Sequence, residues 1–589
     1  MQVIIRLRAG IGSIEVMRSC ETGSLAEADE PLVRRAAARA RDALCIALLW
    51  GGGAASLCGT AYAQVPGAGA AMRDIETPRP SLPAETAPDL TMPSVDDAAP
   101  ATPESGPRVF VRAFEIEGNT ALARDDLLAL VADLAGQTSG FADLQRAADR
   151  ITAHYRRHGY VLARAYLPRQ DLDDGVVRIG VTEGRYGAVE IRNHSRVFDG
   201  ALRQPLAALH PGDVVRGSGL ERSLLLLDDL AGVAARGTLR PGEAPGTTDL
   251  VVDADNGPLA SGSLEFDNFG DVSMGRYRVG GGVDVNSPLR LGDRFSLRGL
   301  VSNERQRYYR VAYEVPAGPL STRVGVAYSA LRYRLGGAFS YLDYSGRASF
   351  QTAYVAQPLV RGRTLNLTAQ IQYENKNVHD DERALDTRYD KNVGLWTVGI
   401  SGNSEDGWLG GGRNGFSAML GIGRLRGNDP LGADPLKKSI GSFTKLNLSA
   451  LRVQALGRRF ELYAQVSAQL ASRNLDGSEK FSLGGPYGVR AYALGTGSGD
   501  QGWQASAELR YFAAPGWQVS TFVDAGRVQV NRHPWDRTRN ILDMQAVGAS
   551  ASWFGAKRQL TLTAAHPLGA SGGYETRAPS VWIQAAQYF

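Results

Sequence analysis

The sequence predicts a mainly β protein, in which a 16-stranded antiparallel membrane β-barrel follows two small α+β domains. Three observations predict this fold class. The 589-residue chain opens with an export-signal pattern, and its middle part runs twice through the element order β-α-α-β-β. Its last 330 or so residues alternate apolar and polar side chains with no convincing amphipathic helix.

The N-terminal 63 residues have the organisation of an export signal. Basic residues from Arg34 onward precede the short apolar run Ala43–Trp50, and an A-x-A ending closes at Ala63. We predict a signal peptide over residues 1–63, either extended or with a translation start later than the first methionine. The run is too short for a membrane anchor, and Leu57 before Cys58 disfavours a lipoprotein.

Composition excludes several other classes. The net charge of +4 gives nucleic-acid binding no support, so we predict no nucleic-acid partner. The 70 glycines keep no three-residue period, which excludes a collagen-like chain. All three cysteines precede Ala63, so the mature chain would lack disulfides, thiol chemistry and zinc-finger sites. We predict no metal, no cofactor and no catalytic residue.

Residues 64–107 are predicted to be a linker. They are rich in Pro, Ala, Asp, Glu and Thr and contain nine prolines. Such a composition buries too little apolar area to offset the entropy lost on ordering. A short helix within this stretch is possible, but no periodicity supports one.

Two β-α-α-β-β units follow, predicted over residues 108–185 and 186–257. In the first, a strand at Val109–Asn119 precedes two helices and two further strands. Its first helix carries Leu127, Leu130, Val131 and Leu134 at helical spacing. The second unit repeats the order at similar length, which is a stronger signal than either copy alone.

Residues 258–589 are predicted to form the barrel. Strand-like stretches of about ten residues recur, such as the one starting at Trp517, in which Val519 and Val523 share a phase opposite to Asp524. A soluble β-sandwich would alternate in the same way. The uninterrupted series after an export signal, without cysteine, favours a closed barrel of about 16 strands with a polar lumen.

The glycine-rich stretch Ser482–Trp503 contains Arg490, which lies in no helical or strand period. The strand phase points Asp524 into the lumen, where an acidic side chain avoids hydrocarbon. The residues alone leave two alternatives. The carboxylate is solvated like most lumen carboxylates, or the loop folds back and brings Arg490 to it.

Four motifs carry a resemblance that covers Val109 to Phe589. The stretch Gly159–Gly184 resembles the signature of the POTRA domain in outer-membrane transporters of two-partner secretion, the haemolysin secretion/activation type. Phe266–Arg278 resembles the first barrel strands of that family, "GGPYGVRAY" its V-R-G-[FY] loop motif, and "FVDAG" its F-x-D-x-G strand motif.

This resemblance implies a 16-stranded outer-membrane β-barrel, two periplasmic POTRA domains and a sixth extracellular loop that returns into the lumen. The loop motif maps to Val489, Arg490, Ala491 and Tyr492, and the strand motif to Phe522, Asp524 and Gly526. Arg490 is then expected to pair with Asp524. Ala491 stands where the family usually has glycine, and the linker lacks a clear counterpart to the plug helix of some members.

The same resemblance implies export of a large partner protein, adhesin-like or haemolysin-like, from the periplasm to the cell surface. The partner's N-terminal secretion domain is expected to dock on the POTRA motif, and the terminal aromatic Phe589 is expected to signal membrane insertion by the barrel-assembly machinery. The docking motif comprises Gly159, Tyr160, Pro168, Gln170, Glu183 and Gly184.

Three alternatives were weighed. A barrel-assembly insertase is disfavoured by having only two POTRA-like repeats. A diffusion porin would need no periplasmic interaction domains. An outer-membrane enzyme would need a catalytic cluster, and the G-x-S-x-G pattern at 569–573 near His566 lacks the following helix that a hydrolase elbow requires.

Overall fold

The computed structural model describes residues 7–8, 13–14, 67–77, 89–91, 108–171, 174–568 and 580–589. Strands β1 (Leu7–Arg8) and β2 (Ser13–Ile14) pair with each other. The rest of the predicted signal, 1–63, and the G-x-S-x-G pattern at 569–573 lie outside the described residues. In the part of the chain that the structure describes, no helix is long and apolar enough to cross a bilayer.

The first α+β unit is built around a three-stranded sheet in the order β5-β8-β7. Its elements are β4 (Arg108–Phe110), β5 (Ala113–Glu117), α2 (Arg124–Ala129), a 3-10 helix (Ala132–Leu134), β6 (Thr138–Gly140), α3 (Phe141–Arg157), β7 (Arg164–Tyr166) and β8 (Val176–Thr182). Of the predicted apolar stripe, Leu127 and Val131 are fully buried, and Leu130 and Leu134 pack partly buried against the same core.

The second α+β unit has a four-stranded sheet in the order β3-β10-β11-β9. Its elements are β9 (Arg185–Asn193), α4 (Asp199–Arg203), α5 (Gly217–Asp228), β10 (Val233–Pro241) and β11 (Thr247–Asn256). Strand β3 (Asp89–Thr91), from the stretch predicted as linker, adds to the edge strand β10 in parallel. The extent of each unit agrees with the repeat pattern, and the domain boundaries themselves stay predictions.

A helix, α1 (Ala68–Glu76), lies in the stretch that the sequence predicts to be an unstructured linker. Ala68, Ala71 and Met72 are buried against aromatic and aliphatic side chains of the barrel interior. The linker prediction left a short helix possible, and α1 is such a helix, while the extent of the linker stays a prediction. The helix is too short and too rich in small residues to be stable alone, so its packing inside the barrel, which composition does not reveal, stabilises it.

The C-terminal part of the chain is a closed antiparallel barrel of 16 strands, as predicted. The strands are β12 (Ala260–Asp267), β13 (Arg278–Asn286), β14 (Arg294–Ser302), β15 (Arg307–Ala317), β16 (Thr322–Arg334), β17 (Tyr344–Arg361), β18 (Leu365–Glu382), β19 (Thr387–Asp406), β20 (Gly412–Gly427), β21 (Gly441–Ala455), β22 (Phe460–Ala471), β25 (Gln501–Ala514), β26 (Trp517–Gln529), β27 (Ile541–Phe554), β28 (Arg558–Pro567) and β29 (Ser580–Tyr588). The barrel closes where β12 pairs with β29.

The two faces of the barrel strands follow the predicted phases. On β26, Trp517, Val519 and Val523 are exposed on the outer face, whereas Phe522 and Asp524 are buried inside. Apolar side chains cover the exterior because it faces hydrocarbon, and polar ones are admitted to the lumen.

The second α+β unit contacts the barrel turns at one end only. Arg361, at the end of β17, donates two hydrogen bonds of 2.8 Å to the Asp229 carboxylate, and Arg222 donates to the Pro358 and Leu359 carbonyls. The resemblance described above predicts that this end is the periplasmic one. At the other end, the chain between β22 and β25, residues 472–500, folds back into the barrel with the short strands β23 (Phe481–Ser482) and β24 (Ser498–Gly499); we call it the lumen loop. A short helix, α6 (Asp434–Lys437), lies in another loop.

Candidate functional site in the barrel lumen

Arg490 lies at the tip of the lumen loop and contacts the inner face of β26. Its Nε and Nη2 donate to the two oxygens of Asp524 at 2.9 and 2.8 Å, and its backbone N–H donates to the same carboxylate at 3.1 Å. The third guanidinium nitrogen donates to Glu508 Oε2 at 3.0 Å. The predicted neighbours Arg490 and Asp524 are thus brought together as a bidentate pair.

The surroundings of this pair exclude water. The Asp524 residue is fully buried, and only 12% of the Arg490 side chain is exposed. The guanidinium carbon lies 3.2 Å from the centroid of the Phe522 ring, a cation–π contact. Ser506 Oγ donates to Asp524 Oδ1 and accepts from Arg490. A planar, delocalised cation suits this site because it satisfies several fixed acceptors at once.

The remaining residues of the loop motif fix the tip to the last strand of the barrel. Val489, Ala491 and Tyr492 are fully buried. The Arg490 carbonyl accepts a 2.6 Å hydrogen bond from Trp582 Nε1, and the Ala491 carbonyl accepts one of 2.7 Å from Ser580 Oγ, both on β29. The tip therefore bridges β26 and β29.

Ala491 causes no strain. It is absent from the described non-glycine residues with positive φ, so its backbone conformation is open to any L-residue. Gly526 of the strand motif serves a different need. A Cβ there would lie 2.7 Å from Leu483 Cδ2 and 3.1 Å from the Trp503 carbonyl oxygen, so glycine leaves room for the loop.

The base of the lumen loop, residues 476–480, is held by a second set of charges that sequence reasoning missed. Glu479 is wholly buried between Lys376 and Lys445, with N–O distances of 2.9 and 2.8 Å. Asp476 pairs with Lys391 at 2.6 Å, and Lys480 with Asp500 at 2.9 Å. The available signal was the placement of lysines in the lumen-facing phase of their strands.

Helix α1 lies against the barrel wall and the loop base. The Asp380 carboxylate accepts from the first N–H of the helix, Ala68 N, at 2.9 Å. Near the other helix end, Glu76 accepts from the Tyr308 hydroxyl at 2.9 Å and from Arg310 at 3.2 Å. Arg73 donates to the carbonyls of Gly477 and Lys480 in the loop base. The helix and the loop therefore occupy the lumen together.

Three residues of the predicted docking motif form the junction between the two α+β units. Gly159 follows the end of α3 with a φ of +85°. Its carbonyl accepts a hydrogen bond from the backbone N–H of Gly217, and the Gly184 carbonyl accepts one from the backbone N–H of Val215. Tyr160 is 3% exposed, and its hydroxyl accepts a 2.8 Å hydrogen bond from the side chain of Arg216. These residues set the geometry between the units.

Glu183 is a buried structural acceptor. Its carboxylate accepts from the backbone N–H groups of Thr120 and Ala121 at 2.6 and 2.7 Å and from the Tyr155 hydroxyl at 3.0 Å. Burial raises the pKa of Glu183, but these hydrogen bonds outweigh it and leave the pKa below its usual value. Tyr160 and Glu183 are both buried and have structural contacts, and their part in docking a partner stays a prediction.

Pro168 and Gln170, the remaining motif residues, are half-buried. The Gln170 side chain accepts from Arg178 N at 2.6 Å and donates to Arg178 O at 2.8 Å. The amide thus continues the pairing of β8 beyond the end of β7. Docking at Pro168 and Gln170 stays a prediction.

Phe589, the predicted insertion signal, pairs with the first barrel strand. Its backbone exchanges two 3.1 Å hydrogen bonds with Gly262, and a Cβ at position 262 would meet its ring. Within the described residues, no three His, Cys, Asp or Glu side chains are grouped as metal ligands. His566 lies exposed on the outer face of β28.

Comparisons with known proteins agree with this architecture. Among curated proteins, the chain is 27% identical over 466 residues to the heme/hemopexin transporter protein HuxB of Haemophilus influenzae (strain 86-028NP), covering 76% of this chain and 82% of the relative. It is 25% identical over 508 residues to the outer membrane transporter CdiB of Escherichia coli (strain 536), covering 81% and 80%.

Among solved structures, CdiB from Escherichia coli superposes with a TM-score of 0.68 at 22% identity, covering 84% of this chain and 93% of that one. This likeness shows the fold. The family model of the ShlB-type POTRA domain matches residues 109–184. The model of the haemolysin secretion/activation protein ShlB/FhaC/HecB matches residues 246–555, more than half of the chain. The chain belongs to the haemolysin secretion/activation protein ShlB/FhaC/HecB family.

Proposed function

We propose that this outer-membrane protein exports one large partner protein, adhesin-like or haemolysin-like, from the periplasm to the cell surface by two-partner secretion. The family is one of secretion proteins, and HuxB and HpmB are named as transporters of heme/hemopexin and hemolysin. The observation that carries the proposal is a closed, polar-lined barrel whose lumen is occupied by segments of the chain held through exchangeable polar contacts.

The partner is proposed to dock first on the periplasmic units. The two sheets have edge strands at β5, β7 and β9, and an extended segment adds to such an edge through main-chain hydrogen bonds. Strand β7 is only three residues long, so the neighbouring Pro168 and Gln170 are the motif residues nearest to an incoming strand. Side-chain pockets beside the edge then supply specificity.

Export requires that helix α1 leave the lumen. Its hydrogen bonds to Asp380, Tyr308 and Arg310 are polar, and water or a passing chain replaces each at little cost. We propose that the partner displaces α1, threads the lumen unfolded and folds outside, and that this folding supplies the direction. The tip pair Arg490–Asp524 keeps the lumen loop against β26 and β29 during passage.

Biogenesis depends on the bilayer and on the barrel-assembly machinery. Phe589 closes the chain beside the first barrel strand, which supports its proposed role as the recognised terminal aromatic. We infer further that the protein is not an enzyme. The lumen charges described above are paired with one another, and transport by partner folding requires no bond-breaking step.

The test is secretion of the exported partner protein, comparing the full chain with a variant lacking residues 109–184. We expect export to be lost while the barrel, checked by its heat-modifiable mobility, still inserts and conducts in planar bilayers. Secretion that persists would overturn the docking model. Loss of insertion would call for the milder variant Gln170→Ala, for which reduced secretion with normal insertion is expected.

A further inference from the structure

Three arginines form a row on the outer face of the barrel, outside the lumen site. Arg307 on β15 is directly opposite Arg332 on β16, which is directly opposite Arg347 on β17. All three side chains are exposed, and their chain neighbours Tyr308, Leu331 and Ala348 are buried inside the barrel. The arginines therefore project outward, away from the polar lumen.

Within the part of the chain that the structure describes, no side chain forms an ion pair with the three arginines of this row. Among the described residues, none of the three guanidinium groups has an ion-pair or hydrogen-bond partner. Directly opposed side chains on neighbouring strands lie about 5 Å apart at Cβ, and like charges in this arrangement destabilise the pairing. A barrel wall that opposes three cations needs a source of negative charge from outside the chain.

The position of the row matches one such source. The arginines flank the loops at 303–306 and 335–343, at the end opposite the periplasmic turns. Two residues along β15 toward the periplasm, Tyr309 is exposed on the same face, with its ring 6.1 Å from that of Tyr328. Outward aromatic residues mark the border between hydrocarbon and headgroups. The row thus stands at headgroup level in the outer leaflet.

The surface beside the row is shaped to hold a headgroup. A groove of about 820 Å³ runs along it, lined by the three arginines together with Arg426, Asn377 and Asn392. Lys391 also lines the groove, as do His379 and Asp390, and the Asp390 carboxylate is already paired with His379. Arginine binds phosphate oxygens through its planar fork, and amide groups suit sugar hydroxyls. The exposed Tyr328 and Val326 below offer apolar surface to acyl chains.

We propose that this groove binds the phosphorylated headgroup of an outer-leaflet glycolipid through Arg307, Arg332 and Arg347. The bound phosphates neutralise the row, and the lipid becomes a fixed part of the barrel wall over β15, β16 and β17. The site is independent of partner export.

The chain offers a matched control. Arg527 is also exposed and outward-facing near the extracellular end of its strand, β26. Its directly opposite residue is Asp543, which accepts from Arg527 Nε at 2.6 Å. This arginine already has a counter-charge, so we expect no lipid phosphate there.

The experiment uses the full chain in zwitterionic detergent micelles with fluorescent bisphosphorylated lipid A. Replacing all three arginines by serine is expected to weaken binding roughly 100-fold, given the usual contribution of a basic residue at an anionic surface. Arg527→Ser should bind like the unmodified chain. Equal binding by the triple variant, or equal binding of dephosphorylated lipid A to the unmodified chain, would overturn the proposal.

Two further arms separate the sources of phosphate and guard against misfolding. Inorganic phosphate at millimolar concentration should not displace lipid A; if it does, the site takes free anions and the lipid assignment fails. Without lipid, the triple variant should melt at or above the temperature of the unmodified chain because like-charge repulsion is removed. With lipid A, only the unmodified chain should gain thermal stability. A triple variant that melts lower without lipid would contradict the inference.

Discussion

The lumen loop is held at two places by different chemistry. At its tip, one arginine, Arg490, satisfies Asp524, Glu508 and Ser506 at once. At its base, four lysines form four pairs with three carboxylates of the loop, and Lys376 also pairs with Glu374 on its own strand. The chain has only seven lysines in all, so more than half of them serve this one place.

The difference teaches how each attachment responds to damage. A planar guanidinium on fixed, buried acceptors depends on geometry, so nothing else substitutes for it. Lysine is a point charge on a flexible stem, and several lysine–carboxylate pairs together hold the base of the loop. Loss of Arg490 alone is therefore expected to detach the tip of the loop, whereas loss of one lysine pair is expected to weaken the base only in part.

The largest expected effect is that of Arg490→Ala. It leaves the buried Asp524 carboxylate unpaired, which costs about 3–5 kcal/mol, and should free the tip. Chymotrypsin added from outside should then cut at Tyr492, which is buried in the unmodified protein, and partner export should fall while the barrel stays inserted. Unchanged export would remove the role given to this arginine.

Two companion variants sharpen this result. Arg490→Lys should retain only part of the export activity and of the protection from chymotrypsin, because an ammonium cannot form the bidentate contact. Exchanging the pair, Arg490→Asp with Asp524→Arg, should also rescue partly, because the exchange places a carboxylate beside Glu508. Full activity of Arg490→Lys would show that charge alone holds the tip, as it does at the base, and would contradict the proposed difference between the two attachments.

A smaller effect is expected from Glu479→Gln at the base. The change leaves Lys376 and Lys445 facing each other without their shared carboxylate, while Lys391–Asp476 still holds the loop. We expect more frequent open events in single-channel recordings, with Tyr492 still protected from chymotrypsin. Lys445→Met, which keeps the Lys376 pair, is the milder control. Cleavage at Tyr492 in Glu479→Gln would mean that tip and base are not independent.

Glu76→Gln probes the helix that rests on the base. It weakens the contact with Arg310 but retains a hydrogen-bond acceptor for Tyr308, so the expected loss is about 1 kcal/mol. Basal conductance should rise by a few-fold as α1 spends more time outside the lumen. Conductance equal to that of the unmodified chain would show that this contact does not hold the helix.

The smallest effect is expected for Ala491→Gly, which restores the residue that the family usually has. Since Ala491 needs no positive φ, glycine adds only backbone freedom, which costs roughly 0.5–1 kcal/mol or less. Secretion should be unchanged within a factor of two. A clear gain of export would show that the alanine strains the tip after all.

The sequence alone determined the class of the protein. The alternation of apolar and polar residues in 258–589 determined which side chains of each strand face lipid and which face the lumen, since a strand separates its two faces with a period of two. The length of this part of the chain then predicted about 16 strands, as the structure has. The resemblance of two short motifs to those of a known family predicted the Arg490–Asp524 pair, which the residues alone left open. The periodic stretches of the two α+β units predicted the order of their elements in the same way.

Only the tertiary structure decided what fills the lumen and which motif residues are buried. Helix α1 has too few periodic residues to be recognised, and its stability comes from the barrel that surrounds it. Lys376, Lys391 and Lys445 lie on three different strands, so no local pattern joins them to the loop base. Glu183 and Tyr160 belong to a motif that the resemblance assigns to docking, and only the packing of the chain shows that both side chains are buried. A contact between distant segments depends on how the whole chain folds in space. A local sequence pattern contains only one of the two partners of such a contact, so it cannot predict the other.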